Sequence, residues 1–232
     1  MDKQYILIGI PIALAALVYL AMTFCRQILP FAKAIDKFAI FTGAIANWLV
    51  LLACLVSAGN AMFRYLLTPI SALAKDPDYA NFHWFFSSFT PLIEWYSKNA
   101  NGFLEMQWYM FAGMVLLGAS YTMRVNEHVR VDLIYGMVSD RTRHWIDVLG
   151  GVVFVIPMCV ILMWFTWPWF VESWNLQEGS NNAGGLMRWP VKLLLPAGFF
   201  FLLLQGIAEV IKRAAALRGF YVHEYAYEKP LQ

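Results

Sequence analysis

Charge is scarce in this chain of 232 residues. Asp, Glu, Lys and Arg together make up 14% of it, where an ordinary soluble domain carries about 25%. Apolar residues make up 60% and aromatics 17%. A soluble fold of this size could not hide so much apolar surface. That excludes a free cytosolic enzyme and a disordered tail, and leaves an integral membrane protein.

Cysteine is equally sparse. Cys25, Cys54 and Cys159 lie in or at the ends of apolar segments with no C-x-x-C spacing. Neither a zinc site nor a disulfide framework is indicated, and buried small hydrophobes are the plain reading. The formal net charge of +2 gives no nucleic-acid footprint. The four histidines, His83, His128, His144 and His223, fall in loops or at helix ends, whereas a b-type haem needs axial histidines inside helices. No G-x-S-x-G and no H-E-x-x-H appears, so no hydrolase constellation is present. The expectation is no cofactor, no metal and no catalysis.

What the chain does have is long uncharged runs. Residues 4–25, 38–63, 106–123, 148–171 and 193–208 contain no Asp, Glu, Lys or Arg. A helical crossing needs about 17–25 residues. The first four runs meet this, and the last is extended by Val191, Val210 and Ile211 with Lys192 and Lys212 able to snorkel. The fold expected is all-α: an integral membrane bundle of four core helices with an extra N-terminal helix. Residues 1–26 would form the extra helix, 27–213 the four-helix domain with an insertion at 68–102, and 214–232 a tail. The first run could also be a signal peptide, but its apolar core is long and no A-x-A site follows it. A shorter uncharged run, 79–93, is rich in aromatics. Residues 79–95 are therefore expected to lie along the bilayer surface, or else to pack as an ordinary loop.

With five crossings, one set of loops holds eleven lysines and arginines and the other six. The positive-inside bias then puts 26–37, 124–147 and the C-terminus in the cytoplasm, and the N-terminus outside. Trp164, Trp167, Trp169 and Trp174 would mark the outer interface.

The polar residues within the runs are mild: Asn47, Ser57, Asn60, Ser120 and Gln205. No ionisable residue sits at the centre of any run, and no internal repeat is visible. Ion-coupled transport cores carry both. The chain reads as the partner of a transport core. Two polar clusters stand apart. Arg124 and the stretch through His128, Arg130 and Asp132 could set a cytoplasmic turn, with His128 and Asp132 four apart on one helical face. It could equally be a solvated turn. Glu178 and Ser180, followed by Gly184, Gly185 and Trp189-Pro190, suggest a tight outer turn entering a helix, in which Glu178 and Ser180 could cap a helix or reach a partner.

The ordered set of Glu105-x-x-Trp108, Leu117-Gly118-Ala119-Ser120-Tyr121, His128-Val129-Arg130-Val131-Asp132, Glu178-x-Ser180, Trp189-Pro190-Val191-Lys192 and Leu204-Gln205-Gly206-Ile207-Ala208-Glu209 resembles the small membrane subunit, DctQ-like, of tripartite ATP-independent periplasmic (TRAP) transporters. The resemblance covers about 38–213. It implies a four-helix small permease in a bacterial inner membrane, paired with a large permease that carries the substrate and sodium sites. It also implies a periplasmic binding protein that delivers an organic acid. The small subunit would be the scaffold of this ion-gradient-driven importer. Glu105, at the start of the third helix, would favour its N-terminal dipole and contact the large subunit. The remaining alternative is a membrane-anchor subunit of a redox complex. The extra N-terminal run and the 68–102 insertion depart from the usual pattern. Residues 79–95 would help dock the binding protein.

Overall fold

The computed structural model describes residues 3–73, 83–127 and 137–222. Five helices and no strand occur among the described residues: α1 (Lys3–Leu73), α2 (His83–Ser87), α3 (Thr90–Val125), α4 (Asp140–Asn175) and α5 (Trp189–Leu217). The all-α expectation holds. Three of them, Ala15–Leu73 within α1, Asp140–Asn175 and Trp189–Leu217, are long and apolar enough to cross a membrane. The 106–123 run lies inside α3, which is long enough but less apolar.

The first two expected crossings are not separate helices. α1 runs through 71 residues without a break, and the expected loop at 26–37 is helical. At 1.5 Å per residue α1 is roughly 107 Å long, more than three times the thickness of a bilayer's hydrocarbon core. Small and apolar residues hold it to its neighbours. Ala21, Cys25, Ile28, Ala32, Ile35, Ala39 and Thr42 follow alternating steps of four and three, the spacing that keeps one seam facing a partner helix. Six of the seven are buried, and Ile28 is half-buried. Ala21 and Cys25 pack with Val148 and Val152 of α4 and with Val210, Ala214 and Ala215 of α5. Ala32 and Ile35 pack with Ala208 and Ile211. Burial along this seam overrides the local charges and Pro30, which would otherwise favour a break.

α3 begins at Thr90, so the described part of the 68–102 insertion is largely helical, shared among the end of α1, α2 and the first turns of α3. Within the 79–95 segment, residues 79–82 lie outside the described residues. Most of the described part is helical: α2 and the start of α3. α4 starts at Ser139, whose hydroxyl accepts from the Thr142 N–H, a normal N-cap. It contains one π-helical turn, Gly151–Val155. A Cβ on Gly151 would lie 2.6 Å from Val210 Cγ2, so glycine is what lets α5 approach there.

Three helices end in the same way. After α3, Asn126 takes φ 64°, with Asn126 N–H donating to Met123 O and Glu127 N–H to Thr122 O. After α4, Gln177 (φ 46°) and Glu178 repeat this onto Trp174 O and Ser173 O. After α5, Gly219 (φ 75°) and Phe220 repeat it onto Ala216 O and Ala215 O. This left-handed cap satisfies carbonyls that the helix leaves open.

The chain divides into two compact units. The first is Met1–Ile45, Leu116–Trp167 and Leu195–Gln232; the second is Ala46–Val115 and Pro168–Leu194.

Candidate functional site

Each unit holds one polar assembly. In the first, α1 contributes Asp36, α3 contributes Arg124, and α5 contributes Gln205, Glu209 and Lys212. The three α5 residues are spaced four and three apart, so they share one face. Lys212 Nζ donates to both Asp36 oxygens, at 2.9 and 3.1 Å, and to Glu209 Oε1 at 2.5 Å. Gln205 Nε2 donates to Asp36 Oδ1 at 2.9 Å and to Glu209 Oε1 at 3.1 Å. Arg124 Nε stands 4.0 Å from Asp36 Oδ1. Only 3% of the Lys212 side chain is exposed and 13% of Asp36, and Gln205 is fully buried.

Two cations and two carboxylates thus neutralise one another away from solvent. Buried charges are tolerated only when paired and hydrogen-bonded in this way. Beside them, Arg213 Nε meets Asp147 Oδ2 at 3.2 Å, and its Nη1 lies 3.4 Å from His144 Nδ1. Next along α4, Arg143 Nη1 donates to Asp140 Oδ1 at 2.7 Å. Thr42 and Ser120 share a hydroxyl hydrogen bond of 3.1 Å.

In the second unit, α3 reads the turn that joins α4 to α5. Asn101, Glu105 and Tyr109 are spaced by four and so line one face of α3. Asn101 Nδ2 donates to Ala183 O at 3.0 Å, and Tyr109 Oη to Met187 O at 2.8 Å. Glu105 takes three donors: Ser180 Oγ, Asn182 Nδ2 at 3.0 Å and the Leu186 N–H at 2.7 Å. The turn closes tightly enough that only glycine fits at position 184. Gly184 has φ +72°, and a Cβ there would collide with the Lys98 carbonyl. Glu178 accepts from Ser173 Oγ at 2.7 Å and from Lys192 Nζ, and pairs with Arg188 at 3.5 Å. Lys192 Nζ also sits 4.4 Å from the centroid of Trp169, a cation–π contact. Trp189 meets Trp174 edge to face at 4.5 Å.

Burial pushes the Glu105 carboxyl up, but the hydrogen bonds from Ser180, Leu186 and Asn182 and the charge of Arg188 outweigh it, leaving it below its ordinary 4.5. Glu178 is also held below 4.5, first by Lys192 and then by Ser173.

The structure therefore gathers Arg124 with Gln205, and Glu105 with Ser180, while Glu178 and Trp189 flank the same turn. Trp108 points away, 67% exposed. His128, Arg130 and Asp132 lie outside the described residues. Two expected roles change. Glu105 is not at a helix start, because α3 begins fifteen residues earlier; it anchors the turn instead. Glu178 and Ser180 cap no helix start; their side chains tie the turn to α4, α5 and α3. Asp36, Arg213, Asn101 and Tyr109 were not singled out from sequence; Glu209 was named only as the end of the Leu204–Glu209 motif, and Lys212 only as able to snorkel. Among the described residues no group of three His, Cys, Asp or Glu converges as a metal site would.

A family profile described as "Tripartite ATP-independent periplasmic transporters, DctQ component" matches residues 99–216, just over half of the chain. The match covers most of α3 and both α4 and α5; α1 precedes it. No curated protein matches the chain, and no solved structure does.

Proposed function

The chain belongs to the DctQ family of tripartite ATP-independent periplasmic transporters, and from that premise we propose that it serves as the scaffold subunit of an ion-gradient-driven organic-acid importer. As a family member it is a component of a multi-pass membrane transport system. The observation that carries the proposal is the family match over α3, α4 and α5, the helices that, together with Asp36 of α1, build the two polar assemblies. The network around Asp36 supports it. Its charges are spent on one another across three helices, which suits a static body better than one that binds and releases ions.

On this reading the substrate and coupling ions pass through a large permease, and a periplasmic binding protein brings the acid. The membrane is the bacterial inner membrane, with the 176–188 turn periplasmic and the 124–147 segment cytoplasmic. His128, Arg130 and Asp132 would hold the cytoplasmic turn, Trp108 would face a partner or lipid, and the described part of 79–95 would lie near the binding protein.

The experiment is reconstitution. The chain, the neighbouring large permease and the binding protein are placed in vesicles with an imposed sodium gradient, and uptake of a labelled organic acid is followed. Uptake that needs all three supports the proposal. Full uptake without this chain overturns it.

A further inference from the structure

Among the described residues Gln205 is the largest side chain sealed completely from solvent. Its carboxamide has a fixed setting. Nε2 donates to Asp36 Oδ1 at 2.9 Å and to Glu209 Oε1 at 3.1 Å, and Lys212 Nζ donates to the same two oxygens. Two nitrogens and two carboxylate oxygens thus close a ring. The ring decides which end of the amide is which. Turned over, Gln205 Oε1 would lie against two carboxylate oxygens, acceptor on acceptor, and each carboxylate would lose a donor.

The other end of the amide is then committed as well. Gln205 Oε1 is buried and accepts no hydrogen bond from any described residue. Buried acceptors are almost always met by a donor, from protein or from ordered water. Gln205 lies inside the 193–208 apolar run, where lipid supplies none. A partner chain has no access, because this chain alone covers the side chain fully. Close by, Arg124 Nε stands 4.0 Å from Asp36 Oδ1. That is beyond direct hydrogen-bonding range and is a gap that one water can bridge. An arginine has five N–H donors, so Arg124 can serve a water alongside its other contacts.

We propose that Gln205 Oε1 holds one ordered water molecule, which accepts from the Arg124 guanidinium and donates to Gln205 Oε1 and to Asp36. A buried water needs about two to four polar partners, and this one has a donor and two acceptors. A metal cation would be the other occupant that seeks oxygen. Lys212 and Arg124 already balance Asp36 and Glu209, so the charge count favours a neutral donor. The water joins α1, α3 and α5 at one point and links Arg124 to the carboxylate it faces. The site lies within one chain, so it stands or falls apart from the small-permease reading.

The test is a cryo-electron-microscopy map of the full chain in lipid nanodiscs, with any subunit that co-purifies, at a resolution that shows ordered waters. A peak is expected at about 2.7–3.2 Å from Gln205 Oε1, from an Arg124 nitrogen and from an Asp36 oxygen. Gln205→Met keeps the length and removes the acceptor, so the peak should vanish while Lys212 stays on Asp36. In thermal unfolding, Gln205→Met and Arg124→Met together should lose less than the sum of their separate losses. The wild-type map decides the matter even where a variant does not fold. An ordered carboxamide with no peak beside it would overturn the proposal, as would a direct bond from Arg124 to Gln205 Oε1. A peak at about 2.3–2.6 Å from the oxygens, a metal's distance, would also overturn it. So would a peak that survives Gln205→Met, or losses that simply add.

Discussion

Asp36 of α1 and Lys212 of α5, 176 positions apart, meet at 2.9 Å with both side chains almost sealed from solvent. This pair ties α1 to the helices matched by the family profile, and it fixes the charge balance of the first polar assembly. A buried pair is expensive to split because the survivor stays charged and dry.

Lys212→Met alone should therefore destabilise the protein by about 3–5 kcal/mol. The double variant Asp36→Leu with Lys212→Met should recover part of that loss, because fewer uncompensated charges remain. Thermal unfolding in detergent, run as a double-mutant cycle, measures the coupling. Equal losses from the single and double variants would show that Lys212 matters through its packing alone.

The second assembly predicts a pH dependence. Glu105 and Glu178 both titrate below the ordinary carboxylate value of 4.5 when folded. Depressed carboxylates stabilise fully above their unfolded value, and that stabilisation fades as pH falls through the folded value. The turn should thus hold near neutral pH and loosen only below about 4.5. The melting temperature of a Glu105→Gln, Glu178→Gln variant should be lower at pH 7 and flatter toward acid than that of the wild type. Near neutrality, Glu105→Gln alone should cost about 2 kcal/mol, since it weakens hydrogen bonds made to a charge.

Gly184→Ala should cost about 1 kcal/mol or more, because alanine tolerates neither the positive φ nor the contact with Lys98. Gly179→Ala is the control, since a Cβ there meets nothing. Unfolding curves of the two variants, compared side by side, check this.

On the proposed orientation, an unbroken α1 would cross the bilayer once, through 38–63. Position 3 would then fall on the same side as Lys37, in the cytoplasm, and not outside as two separate crossings would place it. The exposed apolar residues Leu17, Leu20 and Phe24 would lie against the cytoplasmic face of the membrane. With the three native cysteines replaced, Lys3→Cys in intact cells should resist a membrane-impermeant maleimide, while Asn181→Cys in the outer turn reacts. Labelling at position 3 would mean that α1 turns back near Pro30 in the membrane.

Much of this architecture was legible in the sequence. The uncharged runs located α3, α4 and α5, and Glu105, Ser180 and Gln205 stood out. Counting charge-free windows, however, treats every charge as an end marker. Asp36, Glu209 and Lys212 border their runs and were read as boundaries, although they pair in the interior. Two signals were available. Gln205, Glu209 and Lys212 share one helical face, and Asp36 is the lone acid among Arg26, Lys33 and Lys37. The length of α1 was hidden for another reason. The small residues at 21, 25, 32 and 39 mark a helix–helix seam, a pattern that hydropathy alone does not report. Asn101 and Tyr109 were missed because their partners are backbone carbonyls of a turn, which leave no trace in side-chain chemistry.

The central claim is that this chain works as a fixed partner of a separate permease. The most direct measurement is affinity purification of the tagged chain, co-expressed with the large permease, followed by uptake from vesicles holding each chain alone and both together. The account predicts a one-to-one complex in which this chain alone moves no substrate and uptake needs the pair. A chain that transports alone, or that purifies without the permease, would contradict it.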